Sequence, residues 1–292
     1  MLLINMVSRR AFTLIDLLVV IAVIAIVATI ILPVFSHAKE RAQGIQCVGN
    51  MRQVTLAWQV YTDENNNRYP PNSATGYSHP AVGEDTVNPS WVAGVLSLSE
   101  TNEAGVDDNT NWVKLIGPRY MQFGSLGGYT KTPNVYHCPG DTSLDPGSGQ
   151  LRVRSIAMNG WINPGRINAK DSPQWGEPFV KLSKPTDFRG ISPTEVFVFA
   201  DENAMSIDDG WFWISPSGYN PDGSMNMNNL QAADLPAAYH NRCTTFSFAD
   251  GRAELHHWSD SDTYGLKFAR GPQSTPDNED VAWLMIHATI PQ

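Results

Sequence analysis

Apolar positions along this chain follow two different rules on either side of residue 35. From Leu17 to Phe35, nineteen residues pass without a formal charge. As a helix rising about 1.5 Å per residue, that run nearly spans a bilayer core of roughly 30 Å. A secretory signal has an apolar core of only about 7–15 residues, followed by a small-x-small cleavage site. This run is longer and leads into Ser36-His-Ala-Lys-Glu-Arg-Ala, which keeps helix-forming residues, so it is expected to be retained as an anchor. Further on, the apolar residues thin to Cys47, Met51, Val54, Trp58 and Tyr61, in steps of four, three, four and three, one stripe of an amphipathic helix. Gly44 and Gly49 each cost about 1 kcal/mol in a helix interior, which predicts flexing there. Asp63-Glu-Asn-Asn-Asn-Arg and then Tyr69-Pro-Pro end the helix. A continuous helix from Phe12 to Tyr61 is roughly 75 Å long, its first half meeting lipid and its second half laying a stripe on a folded domain.

Strand signals take over downstream. Val135-Tyr-His-Cys-Pro reads as a strand entering a turn, and Arg152 to Met158 alternates polar and apolar residues. Glu195-Val-Phe-Val-Phe-Ala is apolar on both faces and so is expected at the centre of a sheet. Asn111-Trp-Val-Lys-Leu-Ile forms one or two helical turns with Trp112, Leu115 and Ile116 inward, closed by Gly117-Pro118. Residues 163–193 and 215–229 are rich in turn residues and read as long loops, and Glu279 to Ile290 as a short closing helix with Val281, Leu284 and Ala288 inward. Two strands flank Asp250-Gly251, the pair favoured in a two-residue hairpin turn. That turn sets Phe248 opposite Ala253 and Phe246 opposite Leu255, with Ser247 facing Glu254 and Thr245 facing His256. The expected fold is α+β: a long N-terminal helix, kinked near Pro33, packed on a C-terminal antiparallel β-sheet domain with long loops.

Composition narrows the function classes. Net charge is −9 with no run of Lys or Arg, which excludes the clustered basic surface that nucleic-acid binding rests on. Gly 23, Pro 20 and nine Trp against 17 % charged residues suit a loop-rich extracytoplasmic domain. Arg9 and Arg10 ahead of the apolar run favour a cytoplasmic N-terminus, a bias that Lys39 and Arg41 weaken. Cys47, Cys138 and Cys243 make an odd count. Cys47 and Cys138 are the preferred candidate disulfide pair, one on the helix and one opening a Cys-Pro turn, and three buried free thiols are the other reading. No Cys-x-x-Cys pair supports zinc held by thiolates.

Arg10-Ala11-Phe12-Thr13-Leu14-Ile15-Asp16, directly before the apolar run, resembles the class III signal of type IV pilins and type II secretion pseudopilins. The resemblance implies cleavage by prepilin peptidase between Ala11 and Phe12, N-methylation of Phe12, and Asp16 as the fifth mature residue. In that family the acid pairs with the N-terminal amine of its own or a neighbouring subunit and sets the register of assembly. Ala11 stands where glycine is commonest and Asp16 where glutamate is usual. Pro33 matches the proline that softens the helix in many members. The implied division is a leader over 1–11, a transmembrane and assembly helix over 12–35, its amphipathic extension over 36–66 and an extracytoplasmic β-rich domain over 67–292. The implied partners are prepilin peptidase, other pilin or pseudopilin subunits and inner-membrane lipid. The spacing of His240 and Asp250-Gly251, with Cys47, Cys138-Pro139, Phe199-Ala-Asp201 and Phe248-Ala-Asp-Gly, resembles a group of prepilin-like proteins named for His-x9-Asp-Gly.

Catalytic signals are weak. Asp201 and Glu202 are adjacent on a strand and face apart, and no serine-hydrolase, zincin or phosphate-loop motif occurs. In the predicted hairpin His256 and His257 point to opposite faces and Asp250 serves the turn, so His240 is expected to be structural and no metal is expected. Asp63-x-Asn65-x-Asn67 is similar to the start of a calcium loop, but Arg68 replaces the turn glycine; Asp141 and Asp145 form a second acidic loop, and no calcium site is named. A rival to the structural-subunit reading is an anchored surface domain that binds polysaccharide, with Trp211 and Trp213 as the stacking platform.

Overall fold

The computed structural model describes residues 14–74, 83, 86, 88–96, 108–165, 179–265 and 271–291. The chain divides into two compact units, Met1–Ala42 and Gln43–Gln292. Helix α1 (Leu14–Glu64) is 51 residues of uninterrupted helix, and it is unbroken at position 33. Within the first unit, Leu14–Ile31 is long and apolar enough to cross a membrane, by length and composition, and none of it is buried. A membrane anchor and a signal sequence share that property.

The second unit is a mixed helix-and-sheet fold. Its strands are β1 (Ile156–Asn159), β2 (Phe197–Asp201), β3 (Trp211–Phe212), β4 (Gln231–Ala232), β5 (Cys243–Phe248), β6 (Ala253–His257) and β7 (Gln273–Ser274). Five of them form one sheet in the order β3-β1-β2-β5-β6, while β4 and β7 pair separately. The main sheet is not wholly antiparallel, because β3 runs parallel to β1. As its pattern predicts, β2 is the central strand and every residue in it is buried. The short helices are α2 (Val113–Ile116), α3 (Pro118–Met121), α4 (Gly127–Thr130), α5 (Ser261–Gly265) and α6 (Glu279–Ile286), the last capped by Asn278, whose side chain accepts from Val281 N.

Two apolar cores flank the sheet. The stripe Met51, Val54 and Trp58 packs with Ile156, Met158, Val198, Phe199 and Ala253, and Trp58 stacks on Tyr69 at 4.3 Å. Phe197, Ala200, Phe246 and Phe248 pack instead with Val281, Leu284 and Met285 of α6. Consecutive Val198 and Phe199 join the same core because the β2–β5 register shifts between Phe197 and Phe199, as at a bulge. The closing helix thus buries Val281, Leu284 and Ala288 as expected, although it ends at Ile286.

Four expectations need correction. Residues 133–136 form a 3₁₀ turn rather than a strand, with Pro133 favourably placed at its start. The strand expected from Arg152 begins only at Ile156: Arg152 and Arg154 turn inward, Arg152 Nη2 donating to Asp141 at 3.1 Å and Arg154 Nη1 to Ile156 O at 2.8 Å. Trp112 is exposed while Leu115 is buried, since one short turn presents a single inner face. The hairpin is also one residue out of the predicted register: Ser247 pairs with Ala253, Phe246 with Glu254, Thr245 with Leu255 and Thr244 with His256. Phe248 N bonds Arg252 O, which leaves the three-residue loop Ala249-Asp250-Gly251 with Gly251 at φ 93°. This is the turn-plus-bulge solution, which needs glycine only at its last position.

A candidate site of two thiols, a carboxylate and an imidazole

Four elements bring one donor each to a single point. Cys47 opens the buried stripe of α1, Cys138 follows the 133–136 turn, Asp201 ends β2, and His240 lies just before β5. Cys47 Sγ donates to Asp201 Oδ2 at 3.0 Å, and Cys138 Sγ lies 3.0 Å from His240 Nε2. All four donor atoms are within 4.8 Å of one another and all four residues are buried. Among the described residues no other group of three or more His, Cys, Asp or Glu donors converges as closely.

Local structure holds each donor in place. Cys138 N donates to Ser155 Oγ at 2.6 Å and Gly140 N donates to Cys138 Sγ at 3.4 Å, so the Cys-Pro-Gly turn points its sulfur inward. The His240 ring occupies a slot between two glycines. A Cβ on Gly140 would stand 2.9 Å from His240 Cε1, and one on Gly44 would stand 3.6 Å from His240 Cγ and 3.0 Å from Leu255 Cδ1. The tight contact at Gly44 is with the Leu255 side chain, so this glycine serves close packing of α1 against β6, while His240 lies at ordinary contact distance; nothing in the structure explains Gly49.

Burial pushes the Cys47 thiol well up from its ordinary value. Cys138 is raised too: its hydrogen bond with Cys47 pulls it down, and burial together with the Asp201 charge outweighs that. Burial also lifts the Asp201 carboxyl to about 6. The cluster is closed to solvent, with Cys138 0 % exposed. Such a site can hold a cation or join its thiols, but a Cys138–His240 pair sealed in this way offers no approach to a substrate.

The cleavage residues Ala11 and Phe12 lie outside the described residues, and Asp16 stands in the first turn of α1. The candidate disulfide pair is side by side as two free thiols, Cys47 also hydrogen-bonded to Asp201 and Cys138 in contact with His240. His240 and Asp250-Gly251 separate in role, the first joining the thiol cluster and the second making the hairpin loop. Asp250 Oδ1 accepts from Arg252 N at 3.0 Å.

The calcium-like stretches are spent on local structure. Asn65 Nδ2 donates back to Tyr61 O, Asn66 and Asn67 adopt left-handed turns, and Asp141 takes Arg152 and Ser143. Asp145 accepts from Asn109, Gly147 and Ser148. Of the two residues of the polysaccharide platform, Trp211 is buried and Trp213 is partly buried against the same core. His256 stacks on Trp283 at 3.8 Å and takes no part in the cluster.

Sequence reasoning missed Asp201 as a partner of Cys47, although the repeated Phe-Ala-Asp of β2 and of the hairpin was a signal pointing there. It also missed a second polar interior. Glu202 is buried and pushed well above the usual carboxylate range, by burial first and then by the Asp234 and Asp208 charges. Arg154, fully buried, is lowered to about 10 by burial against the countering charge of Glu202. No local pattern announces that grouping, whose members are scattered along the chain.

No protein-family model matches the chain, and neither does any curated protein or solved structure.

Proposed function

We propose that the chain is a pseudopilin-like structural subunit, cut before Phe12, methylated there and assembled through its N-terminal helix into a type IV pilus or secretion pseudopilus. The observation that carries this reading is α1, one helix that is apolar and unburied over Leu14–Ile31 and becomes the spine of a folded core at Met51, Val54 and Trp58. An acid in the first turn of such a helix costs up to about 3 kcal/mol if drawn into hydrocarbon, and the pilin resemblance pairs Asp16 with an N-terminal amine there. Methylation keeps the charge of that amine on a neighbouring subunit, so the pairing survives processing. In this reading the chain spans the inner membrane once, N-terminus in the cytoplasm and Gln43–Gln292 outside, with lipid, prepilin peptidase and other subunits as partners. Packing is its mechanism and it has no catalytic role.

Co-expression with a prepilin peptidase, followed by sequencing of the mature N-terminus, tests this directly. The expected product begins at Phe12; an uncut chain, or one cut after residue 30, overturns the reading. Within a cut population, Asp16→Ala is expected to abolish co-assembly while leaving the folded unit intact.

A further inference from the structure

We propose that Cys47, Cys138, Asp201 and His240 are the four ligands of a closed, zinc-type metal site that fastens α1 to the sheet. Zinc bonds of about 2.3 Å to sulfur and about 2.0–2.2 Å to nitrogen or oxygen set the corners of a tetrahedron roughly 3.3–3.8 Å apart. Two edges of the cluster are 3.0 Å and none exceeds 4.8 Å, so small side-chain adjustments reach that shape. Two sulfurs and an imidazole select a soft or borderline ion. Calcium and magnesium, which take oxygen ligands, do not suit them. Four protein donors and no solvent access describe a structural site, since a catalytic zinc keeps one position open.

The surroundings fit a ligand set better than they fit either competitor. A Cys47–Cys138 disulfide gives no reason for Asp201 and His240 to be buried on those same sulfurs. A Cys138–His240 nucleophile needs a substrate to reach a side chain that is 0 % exposed. The close approach of Gly140 fixes the imidazole, and the Gly140 amide on Cys138 Sγ is the type of outer hydrogen bond that supports a metal-bound thiolate. On binding, the two thiols give their protons to solvent and the ion takes their place. The site ties together residues from α1, the Cys-Pro turn, β2 and the loop before β5, and it stands whether or not the chain assembles into a fibre.

Full-length protein, purified in detergent without chelator, is analysed for metals by mass spectrometry, then stripped and titrated with cobalt(II) alone. The expected results are about one zinc per chain and a tetrahedral cobalt spectrum with sulfur-to-metal charge transfer. Cys47→Ser and His240→Gln are expected to lose most of that metal, and Cys243→Ser, outside the cluster, to keep it. The cobalt titration on the unmutated chain reads the site even where the ligand variants fail to fold. A cobalt spectrum without thiolate charge transfer, or a Cys47–Cys138 disulfide found by peptide mapping under non-reducing conditions, overturns the proposal.

Discussion

Residues 14–31 and residues 47–61 belong to the same helix and both are rich in apolar side chains, yet they have opposite fates. In the first stretch Leu14, Ile15, Ile24 and Ile30 are each at least 60 % exposed. In the second, Cys47, Met51, Val54 and Trp58 are at most 2 % exposed, while Leu56, between them in sequence, is 60 % exposed. The difference is arrangement rather than amount. A stripe at helical spacing fits against one partner surface, so a protein core can cover it, whereas a helix that is apolar all round needs an apolar medium on every side. The same element is thus apolar all round in one part and core-forming on one face in the other.

Substituting the stripe should produce the largest effect. Trp58→Ala removes a ring stacked on Tyr69 and should cost about 3–5 kcal/mol in urea unfolding of the folded unit. Leu56→Ala should stay within about 0.5 kcal/mol, being on the open side. Equal losses at the two positions would break the distinction between stripe and surface.

Next in size is a charge in the all-round apolar stretch. Ile24→Arg should weaken membrane retention by about 2.5–3.5 kcal/mol, read by partition into vesicles, and leave the melting curve of the folded unit unmoved. A destabilised folded unit would show that this stretch is packed after all.

The smallest effect sharpens the contrast through pH. Glu202 keeps its proton longer in the folded unit than in the unfolded chain, whose value is about 4.3, so its contribution is full below that value. It is lost as pH rises toward the folded value. Glu202→Gln should therefore gain stability relative to the parent as pH rises above about 4.3, in paired denaturation series. A constant difference across pH would mean that Glu202 titrates as it does in the unfolded chain.

Much of the fold was legible because its signals are local. Periodicity placed the α1 stripe, two-faced apolar character placed β2 at the centre of the sheet, and the inward set Val281, Leu284 and Ala288 marked the closing helix. The hairpin was recognised, but its register was not. Asp250-Gly251 permits both a two- and a three-residue loop, and the choice fell to the Phe248–Arg252 and Ala249–Val196 backbone bonds, which no dipeptide encodes. The 3₁₀ turn at Pro133–Tyr136 escaped for a similar reason, because apolar residues buried from a short turn look the same as those of a strand.

Sequence alone determined the long helix and its greasy face, the central strand β2, and that the first stretch of α1 suits lipid, because each depends on neighbours within a few turns. Only the tertiary structure decided that Cys47, Cys138, Asp201 and His240 share one buried point, since 154 residues separate Cys47 from Asp201 and His240 lies farther still along the chain. Folding the sheet onto α1 creates that proximity, and it turns Gly44 from an apparent weakness in a helix into the place where Leu255 of β6 packs close to α1.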